Sequence, residues 1–311
     1  MGPQDFATDR AGKVVRTLTG CYAFVPAPLP PSIEYTSDLT FLLSEADAGL
    51  GELSGLGRYL PNPDLLIAPY VKREAVASSR IEGTQADLSD LLLNEVEPKG
   101  TPPGRDILEV RNYVAALNLG LRRLDKLPIA GRLVRDLHRV LMTDVRGQEK
   151  TPGDFRRSQN WIGAPGGSLA DAVYVPPPPD PEMHDCLRHW EQFVNVRGTM
   201  PELVQCALVH EQFEAIHPFL DGNGRIGRLL VTLFLVERGR LSKPLLYLSS
   251  YIERHKAAYY EHLQRVRTHG DWDAWLRYFL TAVRDTARWH CSTPCSSTPI
   301  PRLRGRPNNS A

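Results

Sequence analysis

The sequence predicts a mainly α fold, a helical bundle carrying one short β-hairpin. Three observations lead there. From Ser37 onward apolar residues recur at steps of three and four; prolines and glycines cut this pattern into helix-length pieces; and the period lapses over a single stretch, Arg156 to Pro179.

Taken in order, the start from Met1 to Lys13 alternates charged and small residues without the apolar segment of an export signal. Helical patterns follow over Asp38–Leu56, Pro69–Glu82 and Leu88–Glu95. The segment Glu97–Gly104, with Pro98, Pro102 and Pro103, is the best internal boundary, dividing residues 1–100 from a core over 101–290. The clearest helix spans Arg105–Lys126, where Ile107, Val110, Val114, Leu117, Leu121 and Leu124 form one stripe. Gly131–Thr143 is the next.

In the exceptional stretch, Asn160-Trp161-Ile162 and Val173-Tyr174-Val175 read as two short strands around a turn at Gly166-Gly167. Such a hairpin beside a helical core is a candidate flap. Pro176–Pro179 then forms an extended connector. Helices are expected over Pro181–Val196, Pro201–Ile216, Arg225–Arg238, Ser250–Thr268 and Asp271–Trp289. Beyond His290 the chain turns rich in Ser, Thr, Pro and Asn, so 291–311 is expected to be a disordered tail, with Arg302, Arg304 and Arg306 solvated.

Composition narrows the function. With 42% hydrophobic and 23% charged residues, the 311-residue chain has the make-up of a globular protein. Lysine plus arginine (37) nearly cancel aspartate plus glutamate (36), so no global basic field advertises nucleic acid or anionic membrane. Any phosphate site must therefore be local. Five scattered cysteines (Cys21, Cys186, Cys206, Cys291, Cys295) without CxxC spacing suit free thiols in a reducing cytoplasm. No stretch approaches the roughly eighteen apolar residues of a membrane span.

The chemistry concentrates in His217-Pro-Phe-Leu-Asp-Gly-Asn-Gly-Arg-Ile-Gly-Arg228. Gly222-Asn223-Gly224 opens a helix with residues that tolerate positive φ, so successive backbone N–H groups can converge on an anion; the plainer alternative is a cap for the preceding helix. Arg225 and Arg228 lie in the first turn, where cations oppose the helix dipole by roughly 0.3–1 kcal/mol each unless a polyanion binds or a carboxylate pairs with them. Asp221 is a single acid beside the loop, suited to tether magnesium on a nucleotide or to cap the helix. His217 stands next to the loop as a candidate general base or helix-end cap. His210, Glu214 and His217 also share one helical stripe, but Glu214 stands where the HExxH metal-hydrolase pattern needs its second histidine.

This stretch resembles the Fic-domain signature H-P-F-x-[D/E]-G-N-G-R-x-x-R at every specified position. The likeness extends to Leu137-His138, Gly153-Asp154-Phe155-Arg156, Tyr174 through Pro178, Leu263 through Trp272, and a proline-rich Tyr22–Pro31, covering about residues 20–285. The resemblance implies a Fic-type bundle that transfers AMP from ATP to a Tyr, Thr or Ser hydroxyl of a protein target or of itself. In that scheme His217 is the base, Asp221 holds Mg2+, and the backbone of Gly222, Asn223 and Gly224 together with Arg225 cradles phosphates while Arg228 meets the γ-phosphate. A flap of Trp161, Ile162, Tyr174 and Val175 positions the target segment. The family also includes transfer of other nucleotide or phosphate fragments, and removal of AMP. A homodimer is compatible with the family, although no seam marks an interface. The roughly twenty residues after Trp289 are too few for an appended DNA-binding module, so no nucleic-acid partner is expected.

Ser78-Ser79-Arg80-Ile81-Glu82-Gly83 resembles the family's inhibitory motif [S/T]-x-x-x-E-[G/N]. Independently, Val71, Ala75, Ser78 and Glu82 fall on one helical stripe, and a carboxylate on a packed face needs a partner. Arg228 is the natural candidate, with Arg80 or Lys72 as alternatives.

Overall fold

A computed structural model describes the chain except for residues 1, 7–9, 18–19, 60–62, 86, 97–103, 164–165 and 293–311. The proline-rich boundary, Cys295 and the tail arginines lie outside the described residues.

Two helices form the centre. Helix α7 (Glu202–Ile216) and α8 (Asn223–Glu237) are buried on nearly every side, which explains why α7, with buried polar residues such as Gln205, His210 and Glu214 among its apolar ones, shows a weak one-sided stripe. Around them pack α4 (Arg105–Arg123), α5 (Gly131–Leu141), α6 (His184–Asn195), α10 (Lys256–His269) and α11 (Trp272–Ser292). Helix α1 (Ser37–Tyr59) lies along α11, while α2 (Pro63–Ile81) touches α4, α8 and α9 (Ser249–Arg254). Helix α3 (Leu88–Val96) closes this group. Trp190 and Trp275 are fully buried and donate their indole N–H groups to the carbonyls of Val209 and Ala207, fixing α6 and α11 on α7. One continuous core runs from Ala11 to Ala287, so the N-terminal hairpin, the N-terminal helices and the central pair share it.

Several boundaries differ from the sequence reading. Helix α2 begins at Pro63, with Pro69 inside it on an exposed turn, because Pro63 is itself suited to a first turn. The expected Ser250–Thr268 helix breaks at His255 (φ −116°, ψ 33°) into α9 and α10. Helix α11 continues through Cys291 to Ser292, past the expected end at Trp289.

The β structure also moves. Gly12–Arg16 (β1) and Tyr22–Pro26 (β2) form an antiparallel hairpin with Gly12 opposite Pro26 and Arg16 opposite Tyr22. This pair went unpredicted, since Lys13 and Arg16 bracket only two β-branched residues. Among the described residues the Trp161–Val175 region, by contrast, has a single bridge between Ile162 and Tyr174 rather than two strands. A 3₁₀ turn over Leu169–Asp171, closed by a reciprocal Ser168–Asp171 cap, takes up the residues that would have extended the ladder.

Candidate active site

Helix α7 ends at Ile216 because Pro218 follows His217, and the residue before proline avoids the helical region. His217 takes the left-handed conformation instead (φ 49°, ψ 60°), an unfavourable choice for a side chain with a Cβ. Arg156 holds it there. Fully buried, Arg156 donates to the His217 carbonyl at 3.0 Å and to that of Pro177, while its own backbone N–H donates to Pro218 O at 2.9 Å. One guanidinium thus joins the His217 turn to the connector leaving the flap.

Burial, then the Arg156 and Arg267 guanidinium charges, pushes the His217 imidazole down to about 4. It is neutral at physiological pH and able to accept a proton. Its Nδ1 is buried.

The loop after His217 is held from inside by Asn223. Its side-chain oxygen accepts from Phe219 N–H and its amide donates to Phe219 O, both at 2.8 Å. This buried amide is a clamp on the loop rather than a contact facing open space. Gly222 is the N-cap of α8 at φ 75°, so it, and not Asp221, holds the cap position, and it alone of the Gly222–Gly224 trio has positive φ. A side chain there would also strike Met142 Sδ at 2.9 Å.

His138 supports the same turn. Gly153 N–H donates to His138 Nδ1 at 2.8 Å, which leaves Nε2 carrying the proton and donating to the Asp221 carbonyl at 3.0 Å. Its ring stacks on Phe219 at 3.7 Å, and burial, against the Asp221 hydrogen bond, pushes it down to about 4.

Asp221 presents its carboxylate at the mouth of the loop. Oδ1 accepts Gly222 N–H at 2.7 Å, and Oδ2 accepts Lys150 Nζ at 3.2 Å. Burial favours protonation, but Lys150 and Arg225 outweigh it and hold the carboxyl below its ordinary value. Arg225 does not face the loop mouth freely. It is 2% exposed, pairs with buried Glu109 at 3.5 Å and lies 3.8 Å from Asp221. Glu109 also accepts Thr84 Oγ1–H at 2.6 Å, which ties Arg225 to the segment leaving α2.

Arg228 faces α2. Its Nε donates to Ser78 Oγ and an Nη to Ser78 O, each at 2.9 Å, and the same Nη donates to Glu82 Oε1 at 2.7 Å. Glu82 therefore pairs with Arg228, as its place on the α2 stripe suggested. It sits one residue past the helix, in a turn completed by Gly83 at φ 95°. Burial favours protonation of Glu82 and Arg228 outweighs it, so the carboxyl stays ionised. Gly224 makes room for this pair: a Cβ on it would come within 2.4 Å of Glu82 Oε1 and 3.0 Å of Arg228 Nη1. The Glu82 carboxylate thus stands at the opening turn of α8, where free N–H groups and the positive helix end favour an anion.

The chain matches the Fic/DOC family N-terminal model over residues 40–122 and the Fic/DOC family model over 128–235. The chain belongs to the Fic/DOC family. Proteins named protein adenylyltransferase Fic from Drosophila erecta and Drosophila grimshawi are each 26% identical, over 198 and 213 residues. Those alignments cover 61% and 66% of this chain but 36% and 40% of the relatives, so the chain spans well under half their length. A Fic family protein from Desulfovibrio desulfuricans G20 has a similar structure, with TM-score 0.64 and 27% identity over 84% of this chain and 76% of that one. A Fic domain containing signaling protein from Bacteroides thetaiotaomicron shares the fold, with TM-score 0.63 and 17% identity over 82% of this chain and 96% of that one.

Within this Fic chain the flap residues divide in two. Trp161 is 41% exposed and Ile162 partly so, whereas Tyr174 and Val175 are buried. The Tyr174 hydroxyl donates to Ala215 O at 2.6 Å, and its ring lies 4.0 Å from the Arg267 guanidinium carbon. Tyr174 therefore ties this segment to α7, Val175 joins it to β2 by accepting Phe24 N–H, and Val173, expected only as a strand residue, joins Trp161 on the outer side at 60% exposure. The hydrolase alternative loses its ligands: His210 faces the Gly227 carbonyl with Nδ1 and the Tyr259 hydroxyl with Nε2, and no metal-ligating cluster occurs among the described residues. Nor is any described helix long and apolar enough to cross a membrane.

His138 and Arg156 stand in the stretches that carry the resemblance but were given no role there, and Glu109 was not singled out at all. Each acts through bonds to backbone or to a residue far along the chain, which no local spacing records.

Proposed function

We propose that this chain transfers AMP from ATP to a hydroxyl side chain of a protein, Tyr, Thr or Ser, and that Glu82 restrains it. The observation carrying this reading is that Glu82 and Ser78 hold Arg228 at the opening turn of α8, on the loop that begins at His217. Residues 1–100 then act as the restraining region and 101–290 as the catalytic core.

In this reading the polyphosphate of ATP lies on the N–H groups that open α8 at Gly222–Gly224, and Arg228 meets the γ-phosphate once Glu82 leaves. His217 takes the proton of the incoming hydroxyl as its oxygen bonds to the α-phosphorus and the bond to pyrophosphate breaks. The chain's contribution is positioning and charge stabilisation. Arg225 supports the loop from beneath through Glu109 and Asp221. Asp221 fits magnesium: it is one ionised carboxylate at the loop mouth, 31% exposed, of the kind that holds Mg2+ together with phosphate oxygens and water. Bound there, Mg2+ would neutralise phosphate charge, with Lys150 giving way. Trp161, Ile162 and Val173 present the surface along which an extended target segment would lie.

Parallel incubations with ATP labelled at the α- or the γ-phosphorus test this assignment. Protein-bound label from the α position alone supports AMP transfer. Label from the γ position refutes it in favour of phosphate transfer, and loss of AMP from a pre-modified protein without labelling refutes it in favour of the reverse reaction.

A further inference from the structure

Helix α2 has a second functional face. The residues that meet Arg228 follow the stripe Val71, Ala75, Ser78. Tyr70, Arg73, Ala77 and Arg80 recur at steps of three, four and three on another stripe, and Arg73, Ala77 and Arg80 are each offset by two residues, about 200° around a helix of 3.6 residues per turn. This opposite stripe forms one wall of a cavity of about 500 Å³, which α9 and the end of α11 close. That volume lies in the range of small-molecule sites, roughly 300–1,000 Å³.

The lining is specific in chemistry. Arg73 makes no ion pair among the described residues; its guanidinium lies over the Trp289 ring at 5.5 Å. Arg80 is partly offset by Glu253 at 3.9 Å, and Arg254 donates to the Ser250 carbonyl. The remaining lining carboxylates are Asp87 and Glu74, and Glu74 is already engaged by Ser249 and the Tyr113 hydroxyl. Cation thus predominates at the Arg73 side. Aromatic surface flanks it: Tyr70 lies 4.8 Å from the His290 ring, and Tyr247 meets the same ring edge-on at 6.5 Å. His290 is held neutral by burial and then by Arg73, so it supplies a ring rather than a charge. At the inner end the Tyr247 hydroxyl is buried and has no hydrogen-bond partner. A buried hydroxyl without a partner is unfavourable by about 1–3 kcal/mol, which a ligand acceptor would relieve.

We infer that the cavity behind α2 binds a small planar organic anion of the aromatic carboxylate class. Its acid group would pair with Arg73, its ring would lie among Tyr70, Trp289 and His290, and a polar atom would accept from Tyr247. The inference is independent of the transferase reading, because no residue of the anion loop lines this cavity.

Calorimetric titration of the full chain with indole-3-carboxylate, and with its uncharged carboxamide, is the test. Saturable binding is expected, with the carboxamide at least ten-fold weaker. Arg73→Gln should weaken the carboxylate about ten-fold and Tyr247→Phe several-fold, and Ser250→Trp, at the exposed cavity mouth, should abolish binding without unfolding the chain. Absence of saturable binding at low-millimolar carboxylate overturns the inference. So does binding that is indifferent to both Arg73→Gln and Ser250→Trp, which would place the probe elsewhere, the anion loop included.

Discussion

Replacing Glu82 with glycine should move stability and nucleotide affinity in opposite directions. Glu82 gives up an ion pair whose two side chains differ in exposure, 2% for Arg228 and 32% for Glu82. Breaking a fully buried pair by removing one partner costs about 3–5 kcal/mol, and an exposed pair is worth about 0–1. This half-buried pair falls between, at about 2 kcal/mol, because the Ser78 hydroxyl and carbonyl still receive Arg228 in the variant. The free protein should therefore melt about 4 °C lower. ATP, if it must first undo the same contact, should bind tighter by the same 2 kcal/mol, about thirty-fold. Glu82→Gln, which keeps an acceptor of similar shape, should fall between the two proteins. Calorimetric titration with magnesium-ATP and thermal unfolding of all three proteins supply both numbers. A lower melting temperature with unchanged ATP affinity would show that Glu82 is a structural residue only and does not compete with ATP.

Further expectations follow from the same contacts. With His217 pushed down to about 4, kcat/KM of Glu82→Gly should be flat from pH 6 to 8 and fall only as pH drops toward 4; a half-maximum near 6.5 would show an unburied imidazole. The folded pKa of Glu82 is depressed below the ordinary 4.5, so its restraint is fully present above that value and lost as pH falls through the lower folded value. The difference in ATP affinity between wild type and Glu82→Gly should accordingly hold down to the ordinary value and shrink only at lower pH, provided circular dichroism shows both folded. His138→Phe keeps a ring against Phe219 but loses the hydrogen bond to the Asp221 carbonyl; a ten- to hundred-fold lower kcat with little change in melting temperature is expected, on the scale of other positioning contacts. Tyr174→Phe should cost about 1 kcal/mol of stability through its lost bond to Ala215, whereas Trp161→Ala should leave stability within about 0.5 kcal/mol and raise KM for a protein target.

How much of this was legible in the sequence depended on whether a contact was periodic. The Arg105–Lys126 stripe marked α4 to within three residues at its end, since a one-sided helix records its packing in its spacing. Helix α7 offered no such asymmetry, and its limits came from Pro201 and Pro218 instead. The loop residues stood out because positive φ and paired arginines are costly without a reason. Yet the phosphate role expected of the Arg225 side chain meets a guanidinium turned inward to Glu109, and the Asn223 side chain, for which the spacing gave no role, turns inward to Phe219. Glu82 was legible as an acid on a packed stripe, and Arg228 as a cation at the wrong end of a helix. Their meeting depends on how α2 crosses α8, 146 residues away in the chain, so it was a conjecture until the fold supplied it. The N-terminal hairpin was not legible, because β1 and β2 find their support in tertiary contacts such as Phe24 N–H to Val175 O.

In the proposed mechanism His217 performs AMP transfer that Glu82 holds back. Intact-mass analysis of the wild type, Glu82→Gly, and Glu82→Gly combined with His217→Ala, each incubated with magnesium-ATP, tests both residues together. Little change is expected in the wild type, a gain of one or more AMP groups on Glu82→Gly, and none on the double variant. Equal modification of all three proteins, or an AMP adduct that survives His217→Ala, would rule the mechanism out.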